Sequence, residues 1–213
     1  DTEVLNAITK TNELGRHVVL HVMDQSKLGY QSPSEKLIQS LEQLDTLSMQ
    51  IIVDASQLRL DPKDIQNYLN KGCIVTITGS KYFTGPPYSG ALIVPKNVSQ
   101  TIQDVTIKIP KGLTNYYNRT DWPIAWHCSS DLSDGFNYGS NMRWNAAIVE
   151  MDRYYKTPVL YRNMGIEMFC NFIEDSIKEA TFLQPIYGDE TKTKSFDSTE
   201  FGIRNIRTIF PFF

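Results

Sequence analysis

The sequence has no excess of basic residues. It contains 21 lysine and arginine residues against 24 aspartate and glutamate residues, with a net charge of -3 and a pI of about 5.6. The positive charges are scattered, which predicts no binding surface for nucleic acid or for an acidic membrane. No apolar run approaches the ~20 residues needed to span a bilayer, and residues 1–20 lack the order of a signal peptide. We therefore expect a soluble protein with neither nucleic acid nor membrane as a partner.

Cysteine is also scarce. Cys73, Cys128 and Cys170 are widely spaced and odd in number, so neither a disulfide framework nor a metal site is predicted. A reducing, cytoplasmic compartment fits this cysteine usage best. The composition is otherwise globular, because 41% of the 213 residues are apolar and 11% are aromatic, which is enough to bury a sizeable core.

Four short apolar segments predict the strands of a layered domain. Residues 17–23 form a nearly unbroken apolar run, typical of a strand that is buried on both faces of a parallel sheet. Residues 49–53 and 73–77 repeat the pattern. A fourth strand at 91–94 follows too short a connection for a helical crossover, so we expect it to be antiparallel to its neighbour. The predicted fold class is α/β with three layers, a mostly parallel sheet with helices on both faces.

Helix signals separate the predicted strands. Ser32-Pro33-Ser34-Glu35 is interpreted as an N-cap, a first-turn proline and a capping-box glutamate. Asp61-Pro62-Lys63-Asp64 opens a second helix, which Gly72 ends. Two longer helices are predicted at 144–155 and roughly at 164–182.

Two other segments are less regular. Residues 101–109 alternate weakly between apolar and polar, as an edge strand does. Residues 203–213 become apolar and aromatic, which indicates the start of another strand.

One lysine lies in a bend that is crowded with glycine and proline, TGSKYFTGPPYSG at residues 78–90. In an open parallel sheet, ligands bind at the edge where the carboxyl ends of the strands meet. Asp54 leaves the second strand at that edge and Lys81 follows the third. Because adjacent strands lie about 4.8 Å apart, the two side chains can face one small aromatic ring. This pairing suits pyridoxal phosphate, which a lysine holds as a Schiff base while an acidic group keeps the pyridine nitrogen protonated.

The wider pattern resembles a known family. Val53-Asp54-Ala55-Ser56-Gln57 is followed by Thr78-Gly79-Ser80-Lys81, with the lysine 27 positions after the aspartate, and then by Gly85-Pro86-Pro87 and Gly90-Ala91-Leu92. This combination resembles the core of pyridoxal-phosphate-dependent enzymes of the aspartate-aminotransferase fold. The similarity is closest to the aminotransferase and cysteine-desulfurase-like branch.

That resemblance implies roles for individual residues. Lys81 would form the Schiff base and carry the proton at the substrate α-carbon, and Asp54 would pair with the pyridinium nitrogen. Gln57 would bond the phenolic oxygen of the cofactor, and Thr78 would bind its phosphate. Ser80 is also a cofactor-binding candidate, although this branch frequently has a histidine just before the lysine.

Two softer matches lie outside this core. Gly139-Ser140-Asn141 is similar to the Gly-Thr-x-Asn piece with which a neighbouring subunit completes the phosphate site, so Ser140 joins the cofactor-binding candidates. Residues 21–29 resemble the upstream segment that ends beside the ring. The open alternatives for the residue that faces the ring are Asp24, Gln25 and Ser26.

Four further residues carry less specific signals. Arg143 is either an anion-binding residue or a structural one. His21 and His127 are interpreted as packed side chains, because one lies in an apolar strand and the other beside a tryptophan. Cys128 is placed unlike a desulfurase nucleophile.

The resemblance spans roughly residues 15–175 and implies a central fragment of a longer enzyme. Residues 1–200 would be the C-terminal part of the cofactor-binding large domain, and 201–213 the start of a truncated small domain. The implied activity is aminotransferase-like, of the transferase or lyase class, on an amino acid or amine. A homodimer is expected, because sites of this family lie at the subunit interface.

Substrate and reaction type, whether transamination, elimination, decarboxylation or racemisation, depend on residues mostly outside this chain. The alternative is a non-catalytic fragment, or an interaction or dimerisation module of the same fold. A nucleotide-binding α/β domain ranks last, since the chain has neither a Gly-x-Gly-x-x-Gly turn nor a Walker loop.

Overall fold

A four-stranded sheet forms the centre of the molecule in the computed structural model, which describes residues 1–41, 48–185, 209–210 and 212. The strands follow the order β1-β2-β3-β4; β1, β2 and β3 are parallel, and β4 is antiparallel to β3. Their bounds are β1 Val18–Met23, β2 Met49–Asp54, β3 Ile74–Thr78 and β4 Gly90–Ile93. The α/β class, the mostly parallel sheet and the antiparallel fourth strand are therefore confirmed.

The helices within the described residues alternate with these strands and then follow them. Three of them belong to the sheet region and three come after it. Their bounds are α1 Thr2–Glu13, α2 Glu35–Leu41, α3 Pro62–Asn70, α4 Lys96–Gln103, α5 Tyr138–Lys156 and α6 Val159–Glu179. Short 3-10 turns connect α4 to α5. None of the helices within the described residues has the length and apolarity needed to cross a membrane.

The core lies on one face of the sheet. Val22, Val53 and Val75 are neighbours across β1, β2 and β3, and each is at most 1% exposed. Helices α1, α2 and α3 cover this face. Helices α2 and α3 lie on the same side because the two crossovers, from β1 to β2 and from β2 to β3, have the same hand and run in the same direction along the sheet. The helix residues that pack there are Ile8, Leu37, Ile38, Leu41, Ile65, Tyr68 and Leu69.

The opposite face is open at its margins. Val19, Met23 and Leu92 point to it and are 52%, 40% and 64% exposed. Side chains alternate along each strand, so Asp54, Thr76 and Thr78 share this face at the carboxyl edge of the sheet. The expectation that residues 17–23 are buried on both faces is wrong, since β1 alternates between buried and exposed positions.

The capping signals in the sequence predicted the start of α3 correctly and the start of α2 incorrectly. Helix α3 opens at Asp61-Pro62 as predicted, where Asp61 and Asp64 form a capping box, and Gly72 follows that helix with a φ of +77°. At α2 the cap is Ser34 and not Ser32, because the Ser34 hydroxyl accepts the Leu37 backbone N–H at 3.2 Å. The helix therefore begins two residues later than predicted.

Two elements differ from the sequence-based expectation, and a third segment is outside the described residues. The edge strand expected at 101–109 is wrong, because α4 includes residues 101–103 and the rest is irregular. Helix α1 was not predicted, since its one buried residue, Ile8, leaves almost no apolar periodicity. The domain boundary at 200 and most of the expected strand at 203–213 fall outside the described residues. Phe212, which is described, forms an isolated bridge with Pro185.

The glycine-rich loop after β3 is held closed by a helix that approaches its backbone. Gly79 donates to the Ser89 carbonyl at 3.0 Å, and Gly85 donates to the Gly79 carbonyl at 2.8 Å. A Cβ on Gly79 would overlap the Ala147 side chain of α5, and one on Gly85 would lie 2.7 Å from the same Ala147 Cβ. Both positions require glycine because α5 packs directly on the loop backbone.

We expect Gly79→Ala to destabilise the protein by about 1–3 kcal/mol, because the new methyl group has no space beside α5. Urea unfolding followed by circular dichroism measures this change. Gly112→Ala is the matched control, since a Cβ there meets nothing within 4 Å. Adding Ala147→Gly to Gly79→Ala should cost less than the sum of the two single changes. Strict additivity would show that the close approach is not what requires the glycine.

Candidate functional site

The site is built around the carboxylate of Asp54, the last residue of β2. One carboxylate oxygen accepts the backbone N–H of Ser56 at 3.0 Å and also the Ser56 hydroxyl. The Thr76 hydroxyl of β3 donates to the same oxygen at 3.3 Å. Asp54 and Thr76 are register partners of the parallel pair, so their side chains emerge side by side on the open face.

These contacts set the charge of Asp54. Burial by itself raises the pKa of this carboxyl, but the hydrogen bonds from Ser56 and Thr76 and the positive charge of Lys81 outweigh it and hold the pKa below its ordinary value. Asp54 is therefore ionised at neutral pH. Among the described residues, no hydrogen bond reaches its second oxygen.

Lys81 lies in the loop that follows β3 and has an exposed side chain. Its ammonium is close enough to Asp54 to contribute to the lowered pKa of that carboxyl. Two hydroxyls precede the lysine at the end of β3, those of Thr78 and Ser80. Thr78 Oγ1 and Ser80 Oγ are 2.9 Å apart, and the Ser80 backbone N–H donates to Thr78 Oγ1 at 3.3 Å. The edge thus offers an anion, a cation and two neutral hydrogen-bonding groups.

An aromatic cluster anchors the loop from behind. Phe83 is 5% exposed, and its ring centroid lies 5.2 Å from that of Tyr82 and 5.3 Å from that of Tyr154 in α5. Burial, together with a hydrogen bond that the Tyr82 hydroxyl makes to Tyr154, raises the pKa of Tyr82 far above its ordinary value, so this phenol stays neutral. The Arg59 guanidinium stacks 5.4 Å from the Tyr82 centroid. Tyr82, the residue after Lys81, is therefore held by its contacts with Phe83, Tyr154 and Arg59, whereas Lys81 itself is exposed.

The other two predicted cofactor-binding residues, Gln57 and Ser140, differ in how close they lie to Asp54 and Lys81. Gln57 is half-buried in the turn after β2, three residues beyond Asp54 and at the same edge. Ser140 is in the first turn of α5, where its backbone N–H donates to the Asn137 side chain at 3.0 Å. Ser140 lies two turns before Ala147, about 10 Å along the helix axis. Among the described residues, no hydrogen bond joins it to Thr78, Ser80 or Lys81.

The three residues that were alternatives for facing the ring can now be distinguished. Asp24 is 7% exposed, and its carboxylate accepts the hydroxyl of Tyr68 at 2.9 Å on the core side of the sheet. Ser26 uses its hydroxyl to accept the backbone N–H groups of Leu28 and Tyr30 in its own loop. Asp24 and Ser26 therefore both have hydrogen-bond partners within this chain, and Gln25 is half-buried between them.

The remaining candidates lie on exposed surfaces. The Arg143 guanidinium is 5.9 Å from the centroid of the Tyr88 ring. His21 is exposed on the open face of the sheet, and the His127 side chain is 64% exposed with Asp104 4.0 Å away. The expectation that both histidines are packed is therefore wrong. Within the described residues, no group of three or more histidine, cysteine, aspartate or glutamate side chains could hold a metal ion.

Two residues of the site had no role assigned from the sequence. Ser56 follows Asp54 by two positions, the spacing at which an aspartate side chain accepts the backbone N–H of a turn, so a local signal exists for it. Thr76 has no local signal. Its place beside Asp54 depends on the register between β2 and β3, which only the folded sheet defines.

Comparisons with known proteins give no relative for this chain: no family model, no curated protein and no solved structure matches it. The likeness described above therefore depends on the residues themselves.

We expect Thr76→Val and Ser56→Ala each to raise the pKa of Asp54, because each removes a hydrogen bond to its charged form. Carbon-13 NMR titration of the carboxyl group measures the shift, and Thr101→Val, which removes a hydroxyl bonded to the Asn97 carbonyl, is the control. A depressed carboxyl pKa contributes stability above the unfolded value of ~3.9. This contribution is lost as the pH falls through the folded pKa, so both variants should lose less stability on acidification than the wild type. An unchanged titration of Asp54 in both variants would contradict the assignment.

Proposed function

We propose that this chain belongs to a pyridoxal-phosphate-dependent, aminotransferase-like enzyme that acts on an amino acid or amine. The observation that carries the proposal is the pair formed at the sheet edge, an Asp54 carboxylate that is held ionised and a Lys81 amine in the loop after the next strand. A scaffold would not need three hydrogen bonds converging on one carboxylate oxygen beside an exposed lysine.

The groups at this edge fit the chemistry of the cofactor. A pyridine nitrogen that must stay protonated needs an ionised carboxylate as its acceptor, and Asp54 has a lowered pKa and a second oxygen available. A phosphate needs hydrogen-bond donors, and Thr78 and Ser80 present two adjacent hydroxyls. An aldehyde needs an accessible amine, and Lys81 is exposed.

Each residue then has a definite task. When bound, the cofactor supplies an electron sink for a bond at the substrate α-carbon. Asp54 would accept the pyridinium N–H and keep the proton on that nitrogen, and Thr76 and Ser56 would keep Asp54 oriented and charged. Lys81 would bind the aldehyde carbon and carry the proton at the α-carbon. Thr78 and Ser80 would hold the phosphate, and Gln57 would donate to the phenolic oxygen.

The proposal extends to the finer architecture and the assembly. The sheet and helices α1–α3 would be part of the cofactor-binding large domain of a three-layer transferase fold, as the C-terminal portion of that domain. The enzyme would be a cytoplasmic homodimer, and the start of α5 with Ser140 would complete the phosphate site of a neighbouring subunit. This role agrees with the absence of any hydrogen bond between Ser140 and the described loop of its own chain.

A second candidate is a non-catalytic interaction module of the same fold. The large apolar surface of α6 favours it, since Met168, Phe169 and Phe172 are each at least 64% exposed. The two candidates differ in one observable property, covalent attachment of the cofactor.

We expect the protein, purified with pyridoxal phosphate, to show a visible absorption band that borohydride bleaches. Mass spectrometry should then find the pyridoxyl group on the peptide that contains Lys81. Lys81→Ala should abolish the band, and Asp54→Asn should weaken cofactor binding at least ~10-fold, because the hydrogen bond to the cofactor nitrogen would lose its charge. Lys96→Ala, at another exposed lysine, is the control. A colourless protein, or labelling spread over surface lysines, would favour the non-catalytic module.

A further inference from the structure

The two loops that carry Asp54 and Lys81 are joined by the sheet only at their base. A backbone hydrogen bond from the Ala55 N–H to the Thr76 carbonyl, 3.0 Å long, continues the ladder between β2 and β3 one residue past Asp54. Lys81 lies three residues beyond the end of β3. The sheet therefore fixes where each loop begins, and a further contact is needed to fix the distance between the carboxylate and the amine.

An arginine and a tyrosine side chain make a contact between these loops beyond the sheet. Arg59 lies five residues after Asp54 in the chain. Its guanidinium carbon is 5.4 Å from the ring centroid of Tyr82, which immediately follows Lys81. This distance is within the ~6 Å at which a cation is attracted to an aromatic face. One partner of the contact thus belongs to the loop of the carboxylate and the other to the loop of the lysine.

The backbone around Arg59 is firmly held. Its neighbours Leu58 and Leu60 are 6% and 2% exposed, and the Leu58 N–H donates to the Ala55 carbonyl at 2.7 Å. Leu58 has a φ of +49°, a left-handed conformation that is uncommon for leucine. Such a residue persists only where the surrounding structure enforces its conformation. Arg59 is therefore fixed between two buried leucines while its guanidinium reaches Tyr82.

Tyr82 is held on its other sides by aromatic rings. Its ring centroid is 5.2 Å from that of Phe83 and 5.7 Å from that of Tyr154 in α5, and both pairs are edge-to-face. Lys81 belongs to the same turn, because its carbonyl accepts the Thr84 N–H at 3.1 Å. A displacement of Tyr82 would therefore displace the backbone of the lysine as well.

We propose that Arg59 is a positioning residue, which acts through Tyr82 to hold the Lys81 amine at a defined distance from the Asp54 carboxylate. A lysine side chain is flexible, so the position of its backbone limits where its amine can reach. Arginine suits this task because its planar guanidinium stacks on a ring and keeps its charge. The inference rests on the proposed function, since a defined distance between these two groups has a use only if both serve one ligand.

Arg162 provides a matched comparison for Arg59. Both arginines are half-buried. The Arg162 guanidinium carbon is 4.4 Å from the ring centroid of Tyr154 and 5.3 Å from that of Tyr155. Both of these tyrosines belong to α5. Arg162→Met therefore removes a similar contact from the same aromatic cluster, at rings that do not adjoin the lysine in the chain.

The effect of Lys81 on Asp54 in the cofactor-free protein tests the proposal. Carbon-13 NMR titration of the whole chain follows the pKa of Asp54, which Lys81→Met should raise because a positive charge that favours the carboxylate is lost. In an Arg59→Met background the same lysine change should raise this pKa at most about half as much, because the amine is no longer held near the carboxylate. In an Arg162→Met background it should raise the pKa as much as in the wild type. Comparison of these increments removes any direct effect of the lost arginine charge.

Variants of the ring decide the question if Arg59→Met is poorly folded. Tyr82→Phe keeps an aromatic face for the arginine and should retain the full effect of Lys81→Met, whereas Tyr82→Leu should reduce it as Arg59→Met does. An unchanged effect in a folded Arg59→Met or in Tyr82→Leu overturns the proposal, and so does a reduced effect in Tyr82→Phe. An equal reduction in Arg162→Met, or a wild type in which Lys81→Met leaves the pKa of Asp54 unaltered, overturns it too. Failure of the protein to bind pyridoxal phosphate contradicts the proposed function separately, because every titration is made without the cofactor.

Discussion

The close approach of α5 to the loop after β3 is the constraint on which the candidate site depends. The contact is between Ala147 and the backbone at Gly79 and Gly85, so it leaves no space for a side chain at either of these two positions. The hydrogen bond from the Gly79 N–H to the Ser89 carbonyl joins the two ends of the loop, and α5 packs against that end. Phe83 then fills the space beside Tyr154, and Lys81 is directed outward. Helix packing therefore sets the position of the Lys81 amine at this edge of the sheet.

Helices α1, α2 and α3 all cover the same face of the sheet, which leaves the other face able to carry an ionised group. Helices α1, α2 and α3 bury one face of the sheet, and the other face keeps polar side chains among its apolar ones. On the buried face a carboxylate needs a partner at once, because an unpaired charge is costly there. On the open face Asp54 keeps its charge with hydroxyl and backbone donors and the positive charge of Lys81 around it. This face can therefore hold an ionised group that still has an acceptor position available.

The features that sequence reasoning predicted correctly have local signals. Strands β1 to β4 come from short apolar runs, and α3 from a capping box and a terminal glycine. The features that it missed depend on distant contacts. Residues 101–109 alternate weakly but have no strand to pair with, and α1 shows its apolar side only where Ile8 meets Val18. In the site, strand ends predicted the pairing of Asp54 and Lys81, whereas Thr76 became a partner only through register.

Two aspartates end neighbouring strands, and the alternation of side chains gives them opposite roles. Met23 is the register partner of Asp54, so Asp24, one residue further along, points to the other face. There it lies in the core and accepts the Tyr68 hydroxyl, which ties β1 to α3. Asp54 emerges among Ser56, Thr76 and the charge of Lys81. A shift of one residue in either strand would move the buried carboxylate to the open face or the open-face carboxylate into the core, so the positions of both depend on the register between β1 and β2.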